Sequence, residues 1–245
     1  VDNEVRAASL FRKVQERHPE DFRKHLRSIY VDAGKRWGVP VEVANDGDVT
    51  ALAGAMSLKK NAVLGIAMGT SQAGGYVDPK GHIMGWLNEL AFVPVDYAEG
   101  APQDKEWSGD RGTGVNYFSQ DAVIRLAPRA GIELNPADPP GTRLKAVQEL
   151  LKAGDDRPRA IFETIGAYLG YAMLQYAQFY DYRQLLILGR VTSGEGGNLI
   201  VKEARRVLKA EDPALAKRLG LHLPDEASRR VGQAIAAASL PELQA

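Results

Sequence analysis

Two short apolar runs, Val41 to Ala44 and Ala62 to Met68, each close on a polar turn. Runs of this length bounded by turn residues predict strands buried on both faces. The first ends in Asn45-Asp46-Gly47-Asp48, the second in Gly69-Thr70-Ser71 with Gly74 and Gly75 close behind. Between them, Val49 to Leu58 is rich in Ala and Leu and predicts a helix. Upstream, Phe11 to Trp37 has helical character that breaks near His18-Pro19-Glu20. Pro19 forbids a straight helix through it, and the acid that follows suits a fresh helix start. Val1 to Ser9 reads as strand-like or loop, and Gly38-Val39-Pro40 leads into the first strand.

Downstream, Gly74 to Val77 and His82 to Trp86 predict a hairpin across the turn sequence Asp78-Pro79-Lys80-Gly81. Leu87 to Val95 continues extended, and Asp96 to Gly114, polar and rich in Gly and Asp, predicts loop. Asn116 to Leu126 predicts helix, and Gly131 to Gly141, with Pro136, Pro139 and Pro140, a surface loop. Leu144 to Ala153 and Pro158 to Phe179 predict two helices, the second apolar on most faces and therefore buried. Leu185 to Leu188 predicts a buried strand that breaks at Gly189, followed by a second glycine turn, Val191 to Gly197, and a helix over Asn198 to Lys209. Leu221 to Leu223 predicts a short strand and Ser228 to Ser239 a closing Ala-rich helix. The fold class is α/β, without the regular alternation of a dinucleotide-binding fold.

A chain of 245 residues can bury a substantial core, as one large domain or two small ones. Lys plus Arg and Asp plus Glu balance at 31 each, which argues against a nucleic-acid partner. No apolar run approaches the roughly 20 residues that span a bilayer. The opening VDNEVRAASLFRKV lacks the apolar core of a secretory signal. No membrane partner and a cytoplasmic location are therefore expected. Cysteine is absent, so disulfides and thiolate metal sites are excluded. His18, His25, His82 and His222 are scattered without metal spacing, and structural roles are expected for all four.

Candidate chemistry gathers at the turns. Asp46, at a strand end, can accept a proton from a substrate hydroxyl, and Asn45 offers both a donor and an acceptor. The same turn is good helix-cap chemistry, and both readings hold if Asp48 caps while Asp46 stays free. Gly69-Thr70-Ser71 offers backbone amides and hydroxyls to phosphate; it is not a Walker loop, since no Gly-Lys-Ser/Thr follows, and a plain turn reads as well. Gly189 to Gly197, ahead of a helix, has room for a nucleotide base and sugar, or is a plain connection. Glu89 lies in the apolar stretch Trp86 to Leu90 as an edge-strand surface residue or a ligand-binding carboxylate, and Trp86 fits a sugar face or core packing. No Gly-x-Ser-x-Gly elbow supports an α/β hydrolase.

Taken in order, these segments resemble the second half of a sugar kinase of the ROK family (repressors, open reading frames and kinases), within the actin-like ATPase superfamily. Val41 to Ala55 is similar to the family's strand, Asn-Asp-Ala and Ala-rich helix; Leu64 to Gly75 to its strand ending Gly-Thr-Gly-x-Gly-Gly; Asn88 to Phe92 to its Gly-Glu-x-Gly-His. Leu185 to Ser193 and Gly232 to Ala238 resemble its later Gly-Gly turn and closing helix. The resemblance implies an actin-like ATPase (ribonuclease H-like) fold, mostly the C-terminal lobe. Residues 1–60 would be a remnant of the N-terminal lobe carrying the Asn-Asp turn, and 61–245 the nucleotide- and sugar-binding lobe.

The resemblance further implies ATP-dependent phosphorylation of a sugar or sugar derivative. Asp46 would be the general base, and Asn45, Asn88 and Glu89 would bind sugar hydroxyls. Gly69, Thr70 and Ser71 would lie against the ATP phosphates. Gly189, Ser193, Gly194, Gly196 and Gly197 would line the adenosine pocket. ATP and Mg²⁺ are the implied cofactors and a small sugar the partner, with homo-oligomerisation left open. Three departures qualify the match. Phe92 stands where the family has a zinc-coordinating, sugar-binding His. Gly109 to Gly114 stands where it has a zinc-binding Cys cluster, so zinc is not expected. Its N-terminal Asp-Gly-Gly-Thr phosphate hairpin is missing from these 245 residues, which implies that they do not turn over ATP alone. The alternative is a non-catalytic sugar-sensing domain related to the family's repressors: Asp46 favours the enzyme, Phe92 a changed or lost activity.

Overall fold

The computed structural model describes residues 4–5, 11–41, 43–105, 108–224, 236, 237 and 239. The predicted start apart from residues 4 and 5, the closing helix apart from three residues, Glu42 and Trp107 lie outside them. The chain forms two compact units, residues 1–45 with 234–245, and residues 46–233.

In the first unit the helical stretch breaks at Pro19 as its ring requires. Helix α1 (Arg12–Arg17) stops, α2 (Pro19–Asp21) restarts with Pro at its first position, and a π-helical turn over Phe22–Leu26 buries Phe22. Helix α3 (Ile29–Trp37) ends on Gly38 in the left-handed conformation, φ 66°. The expected strand over Val41 to Ala44 does not form among the described residues. Val41 instead packs on α3, where a Cβ on Gly34 would come within 2.6 Å of its Cγ2, and Val43 is exposed.

The second unit is built on a four-stranded sheet of β1 (Val63–Met68), β2 (Gln72–Val77), β3 (Gln184–Leu188) and β4 (Gly220–His222), in the order β2-β1-β3-β4. β1 pairs antiparallel with β2 and parallel with β3, and β3 pairs parallel with β4. The period of two divides β1 by face. Leu64, Ile66 and Met68 enter the main core with Phe162, Ile165 and Leu169. On the other face, Gly65 lies against Ala51 of α4 (Asp46–Leu58), and α4's Gly54 against Leu186.

The hairpin is not where the sequence suggests. The Asp78 turn forms, with the Lys80 and His82 N–H groups both donating to Asp78 Oδ1 at 2.8 Å. Beyond it, pairing shrinks to a single bridge, Val77 with Ile83. The full ladder instead joins β1 to β2 through Gly69-Thr70-Ser71. Nor is Leu87 to Val95 extended: Gly85 (φ 67°) and Asn88 (φ 47°) are left-handed, which breaks the pleat, and Leu90–Phe92 is a 3₁₀ turn.

Among the described residues, Asp96 to Thr113 is irregular as expected, and Gly114 opens a 3₁₀ turn, Gly114–Asn116. Helix α5 (Gln120–Leu126) starts later than predicted, because Ser119 Oγ accepts from the Asp121 N–H and caps it there. Helices α6 (Pro140–Lys152), α7 (Arg157–Tyr176), α8 (Glu195–Glu211) and α9 (Pro213–Arg218) complete the unit. α7 is buried as predicted. Its Gly166 and Gly170 bring it close to α8: a Cβ would meet Ile200 O at 2.7 Å and Val207 Cβ at 2.6 Å. α8 begins at Glu195, so the second glycine turn is shorter than its glycines suggest.

Candidate functional site

Asp46 is the first residue of α4, one turn earlier than the predicted helix start, and exposed. Two acids in the first turn favour that start through the helix dipole. A close approach also holds it in place. A Cβ on Gly75 would fall 2.0 Å from Gly47 O, so only glycine at 75 lets the first turn of α4 rest on β2. Asp46 Oδ1 accepts from the Gly47 N–H at 2.9 Å. Asn45 ends the first unit and is exposed.

Asp48 is not a cap. It is buried and accepts from Asn88 Nδ2 at 2.9 Å and from the Tyr76 N–H. Burial pushes its carboxyl above the usual aspartate value despite these two bonds, and the charge of Asp46 adds to the rise. Asn88 completes the tie: Nδ2 also donates to Trp86 O at 3.1 Å, and Oδ1 accepts from the Tyr180 hydroxyl at 3.1 Å. The amide that the sequence offered to a sugar is thus engaged within the protein. Trp86, half exposed, stands 6.4 Å from the Tyr76 ring and 6.0 Å from the Tyr180 ring.

Next to Asn88, the Glu89 side chain is exposed as a residue, yet partial desolvation of its carboxyl raises its pKa, and the like charge of Asp46 raises it further. Two sequence candidates, Asp46 and Glu89, therefore act in one electrostatic field.

The glycine turns form a second group. Because β1 and β3 run parallel as neighbours, Gly69 and Gly189 leave the sheet at the same end, the carboxyl end where α/β folds place ligands. Gly189 (φ 107°) is required twice over, by its left-handed backbone and by Met68 O, which a Cβ would approach to 2.3 Å. In the first turn, the Gly69 N–H donates to Ser71 O at 2.9 Å and Gly69 O accepts from the Gln120 N–H at 2.8 Å. Thr70 and Ser71 are exposed, and Thr70 Oγ1 accepts from Arg190 Nη2 at 2.7 Å.

Of the second turn, Gly194 is exposed and left-handed (φ 66°) and Ser193 half-buried. Gly196 and Gly197 are helical and buried, set against Phe162 and Thr192 O, so they serve packing. A cavity of about 290 Å³ lies elsewhere, lined by Asp96, Tyr117, Arg125 and Tyr168 among others, and touches none of these candidates.

No protein-family profile and no curated protein matches the sequence. Solved structures do match. The ROK glucokinase of Streptomyces griseus, in complex with glucose and AMPPNP, is 20% identical with a TM-score of 0.66, over 87% of this chain and 72% of that one. The ROK hexokinase of Thermus thermophilus is also 20% identical, TM-score 0.68, over 88% and 72%. The chain has the ROK fold.

A ROK family transcriptional regulator, a homolog of the E. coli MLC protein, is similar to the same degree, TM-score 0.68 at 18% identity, over 88% of this chain and 56% of that one. Within this ROK fold, Phe92 ends the 3₁₀ turn after Glu89 and is exposed. Among the described residues no group of three or more His, Asp or Glu side chains forms a metal cage, and no helix is long and apolar enough to cross a membrane. Sequence reasoning passed over Arg190. Its signal was there, a lone positive charge directly after a strand-ending glycine.

Proposed function

We propose that the protein is an ATP-dependent kinase acting on a sugar or sugar derivative, with Asp46 as the general base. The observation that supports it best is Asp46 itself. It is an exposed carboxylate at the start of a helix pinned to the sheet, with the Glu89 carboxyl in its field.

In this reading Glu89 holds the sugar, and Asp46 takes the proton of the attacking hydroxyl as the oxygen adds to the γ-phosphorus of ATP and ADP leaves. A rigid mount suits that task, because phosphoryl transfer depends on positioning more than on covalent help from the protein. Gly69, Thr70 and Ser71 receive the phosphates, and Gly189, Ser193 and Gly194 the adenosine side. Mg²⁺ with ATP needs only one or two carboxylates plus phosphate oxygens. The ion would neutralise phosphate charge.

The test is a panel of sugars with the full-length protein, ATP and Mg²⁺, beside Asp46→Ala. Loss of the general base is expected to lower transfer about 10²- to 10⁴-fold with little change in sugar binding. Equal transfer by both proteins would remove Asp46 from the mechanism. A second reading, a sugar-sensing domain, draws on Phe92 and on the likeness to the ROK regulator. It is supported if a sugar raises the melting temperature while no phosphate is transferred.

A further inference from the structure

The two glycine turns, Gly69 to Ser71 and Gly189 to Gly197, contain one basic residue between them, Arg190. Its backbone is fixed on both sides. Gly189 before it is locked against Met68, and its own carbonyl accepts from Gln148 Nε2 at 2.7 Å. It opens the 3₁₀ turn Arg190–Thr192. Its side chain is exposed and reaches across to β1's turn, donating to Thr70 Oγ1 at 2.7 Å, with Nη1 about 3.1 Å from where a Cβ on Gly141 would lie.

Arg190 is in no ion pair among the described residues, and its guanidinium is held only through Thr70. One of its five N–H donors is used by Thr70, which leaves a planar, permanently charged fork at the carboxyl ends of two adjacent strands. Backbone amides and hydroxyls in the turns can orient phosphate but carry no full charge. A fixed side-chain cation there would favour a polyphosphate, and a guanidinium meets phosphate oxygens in two-point fashion.

We infer that Arg190 is the residue that binds the polyphosphate tail of a nucleoside triphosphate, sharing it with the Thr70 hydroxyl. This rests on the nucleotide-binding part of the kinase reading and names the side chain that supplies its charge.

Calorimetric titration of the full-length protein with magnesium tripolyphosphate, MgATP and adenosine tests it, on wild type, Arg190→Gln and Arg190→Lys. Arg190→Gln is expected to weaken tripolyphosphate and ATP by about tenfold or more, since a charge-assisted bond is lost. Adenosine should stay within about twofold and the melting temperature should be unchanged, neither of which a purely structural role would give. Arg190→Lys is expected to keep the charge and recover part of the affinity; it carries the comparison alone if the glutamine variant does not fold.

Wild-type affinity for both phosphorylated ligands in Arg190→Gln overturns the inference and leaves the kinase reading standing. Arg190-dependent binding of tripolyphosphate, with no gain from the adenosine moiety, upholds the inference and counts against the nucleotide reading. A wild type that binds neither phosphorylated ligand overturns both.

Discussion

Asp48 and Asp96 are the same side chain in opposite surroundings. Asp96 accepts from the Tyr117 hydroxyl at 2.5 Å, the Ala98 N–H at 2.9 Å and the Tyr168 hydroxyl at 3.0 Å. These donors, Tyr117 first, hold it below its ordinary 3.8. A depressed carboxyl stabilises the fold above its ordinary value, and that contribution is lost as pH falls through the lower folded value. Asp96→Asn should therefore melt below wild type near neutral pH, with the gap closing under acid; a gap constant over about pH 2 to 7 would reject the assignment. Asp48 has the reverse sign. Its carboxyl is raised chiefly by burial, so its contribution is full below 3.8 and is lost as pH rises through the raised value. Asp48→Asn should flatten that pH dependence in urea titrations. Asp48→Ala removes the acceptor of one Asn88 amide hydrogen and of the Tyr76 N–H, and should cost about 1–3 kcal/mol. Asp46 and Glu89 stand out in the sequence as candidates because a charge beside an apolar run invites a chemical reading. The role of Asp48 was not, because its amide partner lies 40 residues away.

At the level of elements, small residues decide where things sit. α4 meets the sheet through Gly47 on Gly75, Ala51 on Gly65 and Gly54 on Leu186. Gly75→Ala would drive a methyl into the Gly47 backbone, which cannot swing aside as a side chain can. We expect a loss of about 1–3 kcal/mol or more by chemical denaturation. Gly100→Ala, where a Cβ meets nothing within 4 Å, should stay within about 0.5 kcal/mol. The strands β1 and β3 and the buried helix α7 could be read from apolar runs, which report burial directly. The start of α4 and the Gly166/Gly170 contact with α8 could not, because the sequence does not show which backbone a glycine admits. The misplaced hairpin has a similar cause. The Asp78 turn signal was genuine and the turn forms, but the six-pair ladder of the preceding local hairpin forms across the shorter turn at Gly69 to Ser71.

For the molecule as a whole, the fold is shared with ROK kinases only 20% identical, which is possible because a core tolerates exchange of its apolar side chains while volume and pattern persist. That explains why an ordered set of short motifs pointed to the fold where no family profile matches. The Asp96–Tyr117–Tyr168 cluster also shows how the 96–114 loop is anchored by hydroxyl donors in a chain with no cysteine. The parallel pairing of β1 with β3 has a practical consequence. Those strands come from segments more than a hundred residues apart, joined partly through the exposed stretch 135–137. A cut there would leave the hydroxyl turn on one fragment and Arg190 on the other, so a ligand that grips both would act as glue between two polypeptides. On the proposed nucleotide reading, the fragments fused to the halves of a split reporter should regain signal when MgATP is added and stay dark with adenosine alone. The molecule would then serve as a nucleotide-gated switch assembled from its own pieces.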